Sequence, residues 1–237
     1  MKPIIFNTEM VQAILDGNKS QTRRVIKRKG YDEQINASDM EFATPSHDPA
    51  WWDIGKRRTE AEDGRSPFLT HLNCIGVSPR YQPGDTLYVR ETWAKLCEVD
   101  ENGFTHYDRS NYYYRTDGEQ QIDLYDDDGM FLDDQNIKWK PSIHMPKEAA
   151  RIFLRVTDVR VERLQDISSA DVAAEGISRE MAFVATLGSI MNTSLNWRGA
   201  YAKLWNELYA KKGYGWESNP WVGAYTFERC EKPEETQ

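Results

Sequence analysis

The chain has 237 residues, enough for a buried core in one elaborated domain or two, and it is 39% hydrophobic and 29% charged, a globular balance. A net charge of −8 argues against broad, non-specific duplex binding, because phosphates have to be neutralised by lysine and arginine. No apolar run approaches the roughly 20 residues that span a bilayer. The opening Met1 to Phe6 is too short for a signal-peptide core, so a cytoplasmic protein with no membrane partner is expected.

Asn7 caps a short helix predicted over Thr8 to Asp16, with Met10, Val11, Ile14 and Leu15 as its apolar stripe and Gly17 as its stop. Ser20 to Lys27 reads as a strand. Six basic residues (Lys19, Arg23, Arg24, Lys27, Arg28 and Lys29) meet no acid between Gly17 and Tyr31, which fits a solvated basic strand or the seat of a compact anionic ligand. Residues 31–79 are polar and aperiodic and read as a long insertion.

Tyr81 to Asp85 is a turn, in which Pro83 presets φ and Gly84 takes a positive φ, and it launches a strand over Thr86 to Arg90. Asn102-Gly103 and Asp117-Gly118 are hairpin signals around Tyr112 to Tyr114. Asp126 to Gly129 reads as a turn rather than a calcium loop, since Leu124 stands at the first ligand position. Arg151 to Arg163 alternates as a strand with a bulge near Asp158. Ser168, with Asp171 three residues on, caps a helix that Gly176 ends. Trp197 to Lys211 carries Trp197, Tyr201, Leu204, Trp205 and Leu208 at helical spacing, and Trp221 to Phe227 alternates as a last strand. Strands interleaved with short helices, without βαβ regularity, give an α+β class built as a small mixed barrel with helices packed outside.

Cys74, Cys97 and Cys230 read as reduced thiols, and His71-x-x-Cys74 is half a metal site at most. No metal or other cofactor is expected. Lys19 stands where a helix ends and a strand begins; desolvation there lowers a lysine pKa toward that of a useful base, and Thr22 supplies a hydroxyl three residues on. A surface lysine and a strand threonine fit the same residues. Glu175 falls in the last turn of its helix, where the dipole disfavours negative charge and suits a proton donor; an exposed glutamate beside a glycine cap is the alternative. Trp93, Trp139, Trp216 and Trp221 are candidates for base stacking or for the core, and His144 for a ligand contact or a backbone hydrogen bond.

Taken in order, Ile14-Leu15-x-Gly17-x-Lys19-x-x-Thr22-x-Arg24, then Pro83-Gly84-Asp85, a β segment and a helix ending in Glu175 resemble the ASCH superfamily. ASCH domains share a PUA-like barrel, are associated with RNA, and include small bacterial N4-acetylcytidine amidohydrolases. Longer phage and prophage ASCH-like proteins are similar over Gly17 to Arg24, Tyr81 to Trp93 and Trp139 to Pro146. The resemblance implies one ASCH-like domain over 1–237, with insertions at about 31–79 and 94–140 that the small enzymes lack. It implies a nucleoside, nucleotide or single-stranded RNA ligand. If the protein is an enzyme, it implies metal-free hydrolysis of an amide-like bond, with Lys19 as base, Thr22 as nucleophile and Glu175 as proton donor. Ser20, Arg23, Arg24, Trp93 and His144 would contact substrate, Arg24 holding the oxyanion. The alternatives are a non-catalytic binding module and a ribonuclease using the same Lys/Glu pair. A site assembled for chemistry packs poorly, so alanine at Lys19, Thr22 or Glu175 is expected to shift stability by no more than about 1 kcal/mol.

Overall fold

The computed structural model describes residues 1–27, 29–36, 40–48, 50–55, 74–99, 105–118, 124–125, 131–132, 137–186 and 195–233, with the backbone alone at 97–99, 105–110, 124–125 and 131–132. Its class is α+β. The first strands are β1 (Lys2–Ile5), β2 (Gln21–Val25), β3 (Phe42–Pro45), β4 (Trp52–Gly55), β5 (Cys74–Val77) and β6 (Thr86–Arg90). They are followed by β7 (Trp93–Val99), β8 (Thr105–Tyr114), β9 (Leu124–Tyr125), β10 (Phe131–Leu132), β11 (Phe153–Arg163) and β12 (Trp221–Cys230). The helices are α1 (Thr8–Leu15), α2 (Asp32–Ile35), α3 (Ser169–Ala174), α4 (Arg179–Thr186) and α5 (Trp197–Tyr209).

The chain divides into two compact units. One comprises Met1–Gly17, Thr86–Arg155 and Arg229–Gln237; the other comprises Asn18–Asp85 and Val156–Glu228. In the first unit β1 runs parallel to β6, from Lys2↔Leu87 to Ile5↔Arg90, and β6 pairs antiparallel with the opening residues of β11. A second sheet has the order β10-β9-β7-β8, with a register shift between Cys97 and Glu98. Helix α1 starts where the Asn7 side chain accepts the Met10 N–H, and it buries Val11 and Ile14. Gly17 follows it at φ 75°, a left-handed conformation that costs glycine least. Trp93, Met145, Ala149, Ala150 and Phe153 form one core of this unit.

The second unit holds the site described below. Here β12 lies between β11 and β2, in antiparallel register with β2 from Val222↔Val25 to Thr226↔Gln21. Leu164, Val172, Tyr201, Trp205 and Val222 pack α3 and α5 against this ladder. The turn expected at Tyr81 to Asp85 is present, with Gly84 at φ 88° and the Asp85 carboxylate accepting the Gln82 N–H at 2.8 Å. The segment 31–79 contributes an antiparallel sheet, β3-β4-β5, whose Ile54 and Val77 share a core with Ile26, Met40, Val161 and Trp221.

Several expectations are adjusted. In neither unit, among the described residues, do the strands close into the expected barrel: within the named strands β1 pairs only with β6 and β2 only with β12, so the ladders end there. The strand expected from Ser20 to Lys27 spans Gln21–Val25. Helix α4 was not anticipated; of its residues only Ala182 is buried. In β11 exposed Thr157 and Asp158 interrupt the alternation where a bulge was expected. Gly118, at φ 71°, ends a 3-10 turn over Arg115–Asp117. The signals at Asn102-Gly103, Asp126 to Gly129 and His71, with the Cys97 side chain, lie outside the described residues. No helix among the described residues is long and apolar enough to cross a membrane.

Candidate functional site: a buried lysine–glutamate pair

Helix α3 places one half of the site. Its N-terminus is fixed by a reciprocal capping box in which Ser168 Oγ accepts the Asp171 N–H at 3.1 Å while the Asp171 carboxylate accepts from the Ser168 backbone. Its C-cap is Glu175, and Gly176 turns the chain away at φ 92°. The carbonyls at such a terminus have no partner within the helix. Lys19 supplies one, its Nζ donating to the Glu175 carbonyl at 2.7 Å and to Glu175 Oε2 at 2.8 Å. The lysine is held in place by an antiparallel bridge with Glu175 and by the Ser20 N–H bonding Ala174 O at 2.8 Å. Its ammonium thereby answers both the helix dipole and the carboxylate.

The other carboxylate oxygen is also occupied. Glu175 Oε1 accepts from Arg23 Nη1 at 3.2 Å and from the Tyr201 hydroxyl at 3.2 Å. Lys19, Arg23 and Glu175 are 3%, 2% and 4% exposed. Burial pulls the Lys19 pKa below its ordinary value; the facing Glu175 charge and hydrogen bond oppose this without cancelling it, and Arg24 and Arg23 add to the lowering. Burial drives the Tyr201 phenol well above its ordinary value, so it stays a neutral donor. A lysine whose charged form is disfavoured by burial, in contact with a carboxylate, is placed to exchange a proton with it.

Of the remaining sequence candidates, Thr22 is buried on β2 opposite Tyr225. Strand alternation sets it with Arg24 on the face opposite Gln21, Arg23 and Val25. Its hydroxyl belongs to none of the hydrogen bonds that join Lys19, Arg23, Glu175 and Tyr201. Arg24 is half-buried and donates to the Tyr209 hydroxyl at 3.4 Å. Ser20 is exposed, and its carbonyl accepts the Phe227 N–H at 2.9 Å. Trp93 and His144 belong to the other unit. Trp93 is buried beside Tyr112, with Lys140 Nζ 4.9 Å from its ring centroid. His144 is exposed in a 3-10 turn. The stacking candidate Trp221 is core, its ring covered by the Arg163 guanidinium at 4.7 Å.

Sequence reasoning missed Tyr201 and Glu162 as site residues, having read Tyr201 only as part of an apolar stripe. A phenol on the buried stripe of α5 was the available signal, since it needs a buried partner; Glu162 stands among other charged residues of β11 and carried none. A separate polar cluster in the first unit was missed too. There Arg151 grips buried Glu91 with two nitrogens at 3.1 and 3.2 Å, Thr116 donates to the same carboxylate, and Asp117 lies 2.7 Å from Arg151. Among the described residues no three His, Cys, Asp or Glu side chains are grouped as a metal site would require.

Asp171 links the cap to the site. Burial alone would raise its pKa, but hydrogen bonds from Ser168 and Gln21 and the charges of Arg23 and Arg160 outweigh it and hold the carboxyl down at about 2. Its folded pKa is thus below the ordinary 3.8. The stability it contributes is complete above that ordinary value and is lost as pH falls toward about 2. Urea titrations between pH 5 and pH 2 are expected to show Asp171→Asn with a flatter acid dependence than wild type, by about 1 kcal/mol across the interval after solvent screening of this partly exposed group. Parallel curves for the two proteins would show that Asp171 gains nothing from its partners.

No family model matches the chain, and neither a curated protein nor a solved structure matches it.

Proposed function

We propose that the Lys19–Glu175 pair is the acid–base centre of a metal-free amidohydrolase acting on an N-acylated nucleobase or nucleoside, in an ASCH-like, PUA-related domain. The observation that carries this is the buried amine of Lys19, held 2.8 Å from Glu175 Oε2 with its pKa depressed by burial. In the reaction Lys19 takes the proton of the attacking hydroxyl, which in the resemblance belongs to Thr22. The oxygen adds to the acyl carbon, the carbon–nitrogen bond breaks, and the proton passes through Glu175 to the departing amine. Water then repeats the addition and releases the acid, so one water is consumed for each amine and acid formed. Arg24, on the Thr22 face of β2, carries a guanidinium suited to an oxyanion. The Glu175 carboxylate is already engaged by two cationic side chains, so the chemistry is expected to survive EDTA.

A second reading, a non-catalytic module for RNA or a nucleotide, is favoured by the low exposure of Lys19 and Glu175, since a reacting group has to reach a nearly closed pair. Mass spectrometry of a panel of modified nucleosides and RNA, incubated with wild type and with Lys19→Ala, separates the two. The amidohydrolase reading expects one acylated class to lose its acyl group with wild type and to keep it with the variant. Retention of every modification, with a nucleoside or RNA still bound, would favour the module.

A further inference from the structure

The Arg23 guanidinium is enclosed by acceptors. Nε and Nη2 lie 2.9 and 2.7 Å from Glu162 Oε1, while Nη1 reaches Gln21 Oε1 at 3.3 Å and Glu175 Oε1 at 3.2 Å. Nη2 also lies 3.5 Å from Asp171 Oδ2. Behind these acids stands Arg160, 40% exposed, 2.9 Å from Asp171 Oδ1 and 3.5 Å from Glu162 Oε2. From surface to interior the charges therefore alternate: Arg160, then Glu162 and Asp171, then Arg23, then Glu175, then Lys19. Arg160 and Glu162 lie on β11, Asp171 on α3 with Glu175 as its C-cap, Arg23 on β2 and Lys19 two residues before that strand.

We infer that Arg23 is a positioning residue rather than a substrate contact, and that with Glu162, Asp171 and Arg160 it forms a charge ladder that turns one Glu175 oxygen toward Lys19 and keeps the other away. A carboxylate shared between two cations gives each only part of its charge. With Arg23 and Tyr201 on Oε1, it is Oε2, together with the helix carbonyl, that accepts from the amine. Without Arg23 more of the carboxylate's charge would serve Lys19, with Tyr201 still on Oε1, and the ammonium would be favoured. The catalytic purpose of the ladder rests on the proposed function; its existence and its effect on Lys19 do not.

Among the charged groups acting on Lys19 are Glu175 from the end of α3, in direct contact, and Arg23 and Arg24 from β2 through their charge. Glu175 in turn meets Tyr201 from α5, and Arg23 meets Glu162 from β11 and Asp171 from α3. The sign of each change follows. Arg23→Gln removes a neighbouring cation and returns Glu175 to Lys19, so the lysine titrates at higher pH. Glu162→Gln removes the acid that balances Arg23, so the cation bears more strongly on its neighbours and Lys19 titrates at lower pH.

The test is an NMR titration of full-length protein labelled with 13C at the lysine side chains, the Lys19 signal being assigned by its loss in Lys19→Arg. Arg23→Gln is expected to raise the Lys19 midpoint by about one pH unit or more. Glu162→Gln is expected to lower it, and Arg23→Lys, which keeps the charge without the fork, to fall between wild type and Arg23→Gln. Unchanged midpoints in Arg23→Gln and Glu162→Gln, with the amide spectra of folded proteins, would overturn the inference. If Arg23→Gln does not fold, the opposite-signed shift in Glu162→Gln decides, and its absence overturns the proposal equally. A nucleoside panel without turnover would sink the amidohydrolase reading and leave this titration unaffected.

Discussion

Glu175→Ala is expected to destabilise the protein by about 3–5 kcal/mol, because it leaves Lys19 and Arg23 buried without their shared counter-charge. Both cations are under 4% exposed, so water cannot take over the lost contacts without the structure opening. The same change removes the acceptor of the Tyr201 hydroxyl. Glu175→Gln, which keeps an oxygen for one donor, should lose less. Urea unfolding of the two variants measures this directly. A loss within about 1 kcal/mol for Glu175→Ala would mean that the cations readily find other partners and that the pair contributes little to the fold. The sequence-based expectation of tolerance at this position therefore changes. It treated the site as loosely packed polar chemistry, whereas the structure encloses it.

Trp205→Ala is expected to cost a similar amount, about 3–5 kcal/mol, for a different reason. The ring is 2% exposed, stacks on Tyr209 at 4.2 Å between centroids and packs among Leu164, Val172, Tyr201 and Val222. Its Nε1 donates to Tyr214 O at 2.7 Å, so truncation opens a cavity and strands a carbonyl as well. Tyr201, one turn earlier on α5 with its ring centroid 6.2 Å away, would lose a neighbour that fixes its hydroxyl on Glu175. A melting temperature equal to that of wild type would place Trp205 on an exposed face and contradict the packing described.

Much of the local structure was legible because it depends on near neighbours. The Asn7 cap, the Ser168–Asp171 box, the Gly84 turn and the α5 stripe are all written within a few residues, and each is found. What could not be read depends on distant contacts. The sheet β3-β4-β5 arises from residues with weak alternation, one partly buried residue facing another across strands. Strand β12 is buried on both faces over Trp221–Tyr225, so its alternation told only half its environment. At the site, Lys19 and Glu175 were singled out from their positions at element ends, and the structure sets them in contact across 156 residues. Arg23 was read as a ligand contact because a run of basic residues says nothing of the acids folded against it. Glu162 lies 139 residues away, and only the pairing of β2, β12 and β11 brings that acid near.

The central claim is that this buried pair hydrolyses an acylated base, and the most direct measurement is the product balance. N4-acetylcytidine is incubated with wild type and with Lys19→Arg in the presence of EDTA, and cytidine and acetate are quantified together. The account predicts equimolar cytidine and acetate from wild type and a loss of rate of about a hundredfold or more in the variant, as removal of a general base requires. No cytidine from wild type, or an equal rate from Lys19→Arg, would contradict it.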